Sequence, residues 1–166
     1  MKVNKKMKIK CLFMDIDGTL TDGKIYICPQ GEAMKAFSAR DGQGISNLLD
    51  LPEGERIEPV ILTSRESEIV NIRCRELGIT EVFQGVKDKV SIVKKFEDKC
   101  PEGVFAYIGD DTGDIPAMLC VKEKGGLVAC PGDAHDSVKT IADFVCSRNG
   151  GEGAVREFVD YLMQTE

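Results

Sequence analysis

The chain has 166 residues, 42% hydrophobic and 30% charged, with a net charge of -6 and a pI near 5.0. That length suits a single domain over 1–166, and the acidic balance argues against a nucleic-acid backbone or an anionic membrane as main partner. The seven cysteines are scattered singly with no C-x-x-C pair, which reads as the reduced thiols of a cytoplasmic protein rather than a disulfide framework or zinc site.

The basic opening MKVNKKMKIK precedes only CLFM before Asp15 intervenes, too short for the apolar region of a signal peptide, and no stretch reaches membrane-spanning length. IKCLFM, from Ile9, predicts a strand. GKIYICPQGEAMKAF holds two short strand-like pieces around a Pro/Gly turn and predicts a projecting β-hairpin. A helix is expected from Ile45 to Leu51, then LPEGERIEP as a solvated loop and PVIL, from Pro59, as the next core strand. Glu66 to Leu77 predicts a helix with Gly78 as its C-cap. VFQG from Val82, a helix from Lys89 to Cys100, VFAYIG from Val104, a helix from Ile115 to Val121 and GLVAC from Gly126 follow. Val155, Phe158, Val159 and Leu162 then mark one apolar stripe of a closing helix. The strands do not alternate apolar with polar, so both faces are expected to be covered. Strands alternating with helices imply βαβ units and an α/β fold around a parallel sheet.

Ligands of open α/β sheets bind beyond the carboxyl ends of the strands, and there the polar residues are patterned. The first strand ends in Asp15-Ile16-Asp17-Gly18-Thr19, and the next core strand in Thr63-Ser64-Arg65. GVKDK brings Lys87 and Lys89 to a helix start, and VFAYIG leads into Asp110-Asp111-Thr112-Gly113-Asp114. Asp15, Asp17, Asp110, Asp111 and Asp114 should converge, and such a cluster repels itself unless a hard dication joins it; Mg²⁺ suits carboxylates, water and phosphate. The inventory fits phosphoryl transfer. Asp15 is the candidate nucleophile and Asp17 the general acid and base. The metal and Lys89 offset charge on the phosphoryl oxygens, and the hydroxyl of Thr63 with nearby backbone N–H groups holds them.

These four pieces, in this order, resemble the motifs of the haloacid dehalogenase-like superfamily of phosphohydrolases. The resemblance implies a Rossmann-like three-layer αβα sandwich with Mg²⁺ held by Asp15, Asp110 and the main-chain carbonyl of Asp17, with Asp111 and Asp114 in support. DGTLTDGKIYICPQGEAMKAFSARDGQGI, LTSRESEIVNIRCRELGI, VFQGVKDK, YIGDDTGDIPAM and GGEGAVREFVDYL look more narrowly like the 3-deoxy-D-manno-octulosonate 8-phosphate phosphatase family. That family is capless and tetrameric, and the resemblance implies substrate contacts at Asp17, Ser38, Ala39, Arg40, Asp41, Gly42, Ser64, Arg65, Arg73 and Lys89. Arg156 and the glycine-rich C-terminal segment are expected near an active site. Ser64 stands where the family usually has glycine, Gly113 where asparagine is common, and Ser46 where a basic residue can be found. Alternatives are a nonulosonate 9-phosphate phosphatase, a non-catalytic phosphatase-like assembly module, and a receiver-type signalling domain. The last is disfavoured because Lys89 precedes Asp110 and Asp111.

Overall fold

The computed structural model describes residues 9–165; the basic opening segment, residues 1–8, and Glu166 lie outside the described residues. Six strands form one sheet: β1 (Ile9–Met14), β4 (Glu58–Leu62), β5 (Glu81–Phe83), β6 (Val104–Ile108), β7 (Leu127–Cys130) and β8 (Phe144–Val145). Their order is β5-β4-β1-β6-β7-β8, and every pairing is parallel. The chain steps from β1 outward to β4 and β5, then returns to place β6 on β1's other side. The reversal opens a crevice beyond the carboxyl ends of β1 and β6, the usual ligand position in such sheets. β2 (Tyr26–Cys28) and β3 (Gly31–Met34) form a separate antiparallel pair between β1 and the first helix.

The run of apolar residues in β1 is explained by cover on both faces. Leu12 and Met14 pack with Ile45, Leu48, Val70, Val155 and Phe158, carried by α1 (Ala39–Leu49), α2 (Glu68–Leu77) and α6 (Ala154–Thr165). Phe13 points the other way, among Ile92, Val93, Phe96, Met118 and Val138 of α3 (Lys89–Lys99), α4 (Ile115–Glu123) and α5 (Asp136–Ile141). Its ring meets Phe96 and Phe105 edge-on, at centroid distances of 5.2 and 5.8 Å, a geometry favoured by the ring quadrupoles. The α6 stripe of Val155, Phe158, Val159 and Leu162 is fully buried, as its spacing predicts. Gly78 ends α2 with φ +74°, its amide returning to Arg75 and Cys74.

One helix differs from the sequence reading. α1 begins at Ala39, not Ile45, because Ser38 caps it: its Oγ accepts from the amides of Arg40 (3.2 Å) and Asp41 (3.5 Å). Ser38 to Gly42, expected as substrate contacts, therefore form a helix cap and first turn. Gly42 and Gly44 are accommodated because Arg73 and Arg156 lie so close that a Cβ would meet them at 2.5 and 3.0 Å.

Candidate active site

β1 delivers Asp15 to the crevice, its amide bonded to the carbonyl of Ile108 at 3.2 Å. Asp15 Oδ1 accepts from the Ile16 amide at 2.8 Å, which orients the carboxylate. The chain then turns sharply through Gly18, at φ +95°. A Cβ at Gly18 would lie 2.0 Å from Asp110 Oδ2, so glycine is required both for the turn and for the approach of the second acid. The buried Thr19 hydroxyl donates to Asp110 Oδ1 at 2.8 Å and ties the loop after β1 to the loop after β6.

Behind these two acids lies a buried relay. Asp114 Oδ1 accepts from Lys89 Nζ and from the Tyr107 hydroxyl, both at 2.7 Å. Its Oδ2 accepts from the amides of Asp110 (3.1 Å) and Asp111 (3.3 Å). Lys89, the first residue of α3, also sits 3.1 Å from Asp15 Oδ2. Asp114 thus holds the lysine in place and shapes the loop after β6, with all its acceptor directions occupied.

The electrostatics show why the cluster needs a cation. Burial pushes Asp15 up to about 7; the charge of Asp114 adds to this, and Lys89 and the Ile16 amide work against it. Asp110 is also pushed up to about 7, by burial and then by Asp15, Asp114 and Asp111, against the Thr19 hydrogen bond. Burial works against the charge on Lys89, but Asp15 and Asp114 outweigh it and raise its pKa. Tyr107 is held well above its ordinary range by burial and by Asp114, so it serves as a neutral donor. Carboxylate oxygens of Asp15, Asp110 and Asp114 lie within 4.8 Å of one another. All three are hard oxygen donors of the kind Mg²⁺ takes, so the chemistry of the donor set suits a small hard dication. Asp15 and Asp110 are the members with acceptor capacity left for it.

A cleft of about 190 Å³ opens in front of this cluster, lined by Asp15, Asp17, Thr63, Ser64, Arg65, Lys89, Asp111, Gly113 and Asp114. The sequence-predicted residues of the four strand ends are therefore brought together. Thr63 is buried and fixed by its amide on the Phe83 carbonyl (3.0 Å). The Asp17 side chain is placed differently from its neighbours. It pairs with Lys35 (2.5 Å) and Arg65 (3.5 Å) and is not one of the three clustered acids, although it lines the same cleft. Lys35 and Glu32 complete this rim, and nothing in the sequence pattern marked them. Both lie in the segment read only as a hairpin, and Tyr107 was hidden inside a core strand.

The remaining predicted substrate contacts lie elsewhere within one chain. Asp41 is buried and accepts from the Arg156 amide at 2.8 Å, joining α1 to α6. Arg73 pairs with Glu76 at 2.8 Å and lies over the Phe37 ring. Arg40 lines an open groove with Arg148 and Arg156. The glycine-rich segment reaches the site through backbone. The Gly151 amide donates to the Thr19 carbonyl at 3.1 Å, and a Cβ at Gly150 would lie 1.9 Å from the Gly18 carbonyl oxygen. Those glycines let one loop brace the turn that carries Asp15 and Asp17.

A parallel sheet that gathers Asp15, Thr63, Lys89 and Asp110 beyond its carboxyl ends, around an acid cluster suited to a metal, defines a haloacid dehalogenase-like hydrolase. No family model matches the chain. It is 42% identical over 164 residues to the 3-deoxy-D-manno-octulosonate 8-phosphate phosphatase KdsC of Escherichia coli strain K12, covering 97% of this chain and 82% of that protein. The Haemophilus influenzae phosphatase of this type, solved in a cobalt-bound form, superposes with a TM-score of 0.85 at 37% identity, over 95% of this chain and 89% of that one. The Moraxella catarrhalis enzyme, solved with magnesium, phosphate and KDO, gives a TM-score of 0.86 at 32% identity, over 98% and 90%. The chain belongs to the 3-deoxy-D-manno-octulosonate 8-phosphate phosphatase family.

Proposed function

We propose that this chain is a Mg²⁺-dependent phosphatase that hydrolyses 3-deoxy-D-manno-octulosonate 8-phosphate through an aspartyl-phosphate. The observation that carries the reading is the meeting of Asp15, Lys89 and Asp110 in one charge cluster, in a chain whose relatives are named for that activity. Asp15 Oδ attacks phosphorus, forming an O–P bond as the bond to the sugar oxygen breaks. Asp17 gives its proton to the departing oxygen. Water then attacks the aspartyl-phosphate, Asp17 takes the water's proton, and phosphate leaves with Asp15 restored. Lys89 and the Thr63 hydroxyl hold phosphoryl oxygens, and Asp114 keeps Lys89 charged and aimed. Asp15, Asp110 and the Asp17 main-chain carbonyl would hold Mg²⁺, with Asp111 and Asp114 in support; when bound, the ion offsets charge on the transferring phosphoryl group.

Ser64 and Arg65 line the cleft, and Arg65 is suited to the carboxylate of a sugar acid. Phosphate release from a panel of sugar phosphates tests the assignment. The octulosonate 8-phosphate is expected to exceed nonulosonate 9-phosphates in kcat/KM by ~10-fold or more. Equal rates, or preference for a nine-carbon acid, would move the chain to the neighbouring specificity, and inactivity on every phosphate would mark an assembly module.

The working form is a homotetramer in the cytoplasm. Ile25, Ile27 and Met34, on and beside the β2–β3 pair, expose 37%, 74% and 51% of their surface, an apolar face that subunit contact would cover. Of the residues expected to touch substrate, the exposed Arg40 could then reach a neighbour's cleft, whereas Asp41 and Gly42 are buried and brace α1 against α6 and Arg73. The free thiols fit a reducing compartment. Sedimentation should give about four times the 18.2 kDa chain mass; a fully active monomer contradicts this assembly.

A further inference from the structure

At the rim of the cleft Asp17 and Arg65 belong to a charge quartet with Lys35 and Glu32, which have no role in the chemistry above. Lys35 follows β3, and its side chain is 1% exposed although it ends in an ammonium group. That group sits 2.5 Å from Asp17 Oδ1 and 2.8 Å from Glu32 Oε1. Glu32 Oε1 also accepts from Arg65 Nη2 at 3.3 Å, and its Oε2 takes the Ser67 hydroxyl. Arg65 Nε lies 3.5 Å from Asp17 Oδ2, a long ion pair from a side chain that is 46% exposed. The two oxygens of Asp17 are therefore unequal. Oδ1 is held by a close cation screened from solvent, and Oδ2 keeps one long, solvent-facing partner.

We propose that Lys35 is the positioning residue for proton transfer: it fixes Asp17 through Oδ1 and leaves Oδ2 to the reacting oxygen. The inference rests on the acid and base role given to Asp17 above. An aspartate that must first donate and then accept a proton needs one constant orientation in both steps, and an ion pair through the other oxygen supplies it. Glu32 makes the arrangement affordable in charge: two cations face two carboxylates. Without Lys35, Asp17 and Glu32 would share Arg65 alone and repel each other. The β2–β3 pair thereby contributes to the chemistry of its own chain, because it carries both Glu32 and Lys35 back over the loop after β1.

The test is a double-mutant cycle on Mg²⁺-dependent hydrolysis of 3-deoxy-D-manno-octulosonate 8-phosphate. K35M is expected to lower kcat by ~10²-fold, the low end for losing general acid–base help, with KM within ~3-fold. K35R should recover most of the loss, and K35M in a D17N background should cost less than ~3-fold more. The first-turnover burst from p-nitrophenyl phosphate, whose leaving group needs no proton, should fall far less than the sugar-phosphate rate. Additive losses, or a raised KM with unchanged kcat, overturn the inference. If K35M does not fold, E32Q takes its place in the cycle, and its loss must likewise vanish in D17N. A wild-type chain that releases phosphate while K35M matches it sinks only this inference. A wild-type chain that releases none from any sugar-acid phosphate sinks the parent reading and the inference together.

Discussion

Replacing Asp15 with asparagine is expected to lower kcat by ~10⁴-fold or more and, in EDTA, to raise the melting temperature. Both effects have one cause. Asp15 sits where burial and Asp114 together push its carboxyl up to about 7, so at neutral pH its charge is held at a cost. The nucleophile needs that charge, since a neutral amide has no lone pair suited to attack phosphorus. Asparagine keeps the oxygen that accepts from the Ile16 amide, and Lys89 keeps Asp114 as a partner at 2.7 Å. What disappears is the repulsion among buried acids. For a chain of this size each kcal/mol recovered moves the melting temperature by about 2–4 °C. Single-turnover phosphate release and a thermal melt, made on the same sample, check the pair of outcomes. Near-normal turnover would refute the nucleophile assignment, and a lowered melting temperature would show that the Lys89 pairing outweighs the repulsion.

The two strand-end acids were legible because β1 is apolar from Cys11 up to Asp15, and only a site at the end of a doubly covered strand explains two charges there. Thr63, Lys89 and Asp110 followed from the same logic, each closing or following a run whose lack of alternation already implied a buried parallel strand. The start of α1 was not legible: a helix was expected only from Ile45, and only the arginines packed against Gly42 and Gly44 explain why a helix holds both. α5 and β8 are too short for any period to show, with six and two residues. Lys35 was invisible for a different reason. Its meaning lies in an 18-residue reach back to Asp17, and local patterns carry no information about which charge a hairpin will return to. The placement of Arg40 and Arg73 away from the cleft has the same character, since a spacing cannot distinguish contacts within one chain from contacts offered to a neighbour.

Magnesium should stabilise this protein more as the pH rises, and the same dependence should govern its activity. Asp15 and Asp110 both have folded-state pKa values raised to about 7, from 3.8. Below roughly pH 4 both acids are protonated in the folded and the unfolded chain, so neither affects stability differentially. Between there and about 7 the folded chain holds more protons than the unfolded one, so stability of the metal-free protein falls as pH rises. Above about 7 the full repulsion remains, and a dication has most to relieve. Binding that needs both carboxylates ionised must displace their protons at low pH and displaces none once they are lost. The rise in melting temperature on adding Mg²⁺ is therefore expected to be small near pH 5.5 and to reach its plateau by about pH 8. EDTA should abolish phosphate release, and Mg²⁺ should restore it. Calorimetric titration in buffers of different ionisation enthalpy reads the protons directly: ~1–2 released per ion near pH 6, and close to none at pH 8. A Mg²⁺ shift that is flat across this range, or turnover indifferent to chelation, would show that the cation does not sit between Asp15 and Asp110.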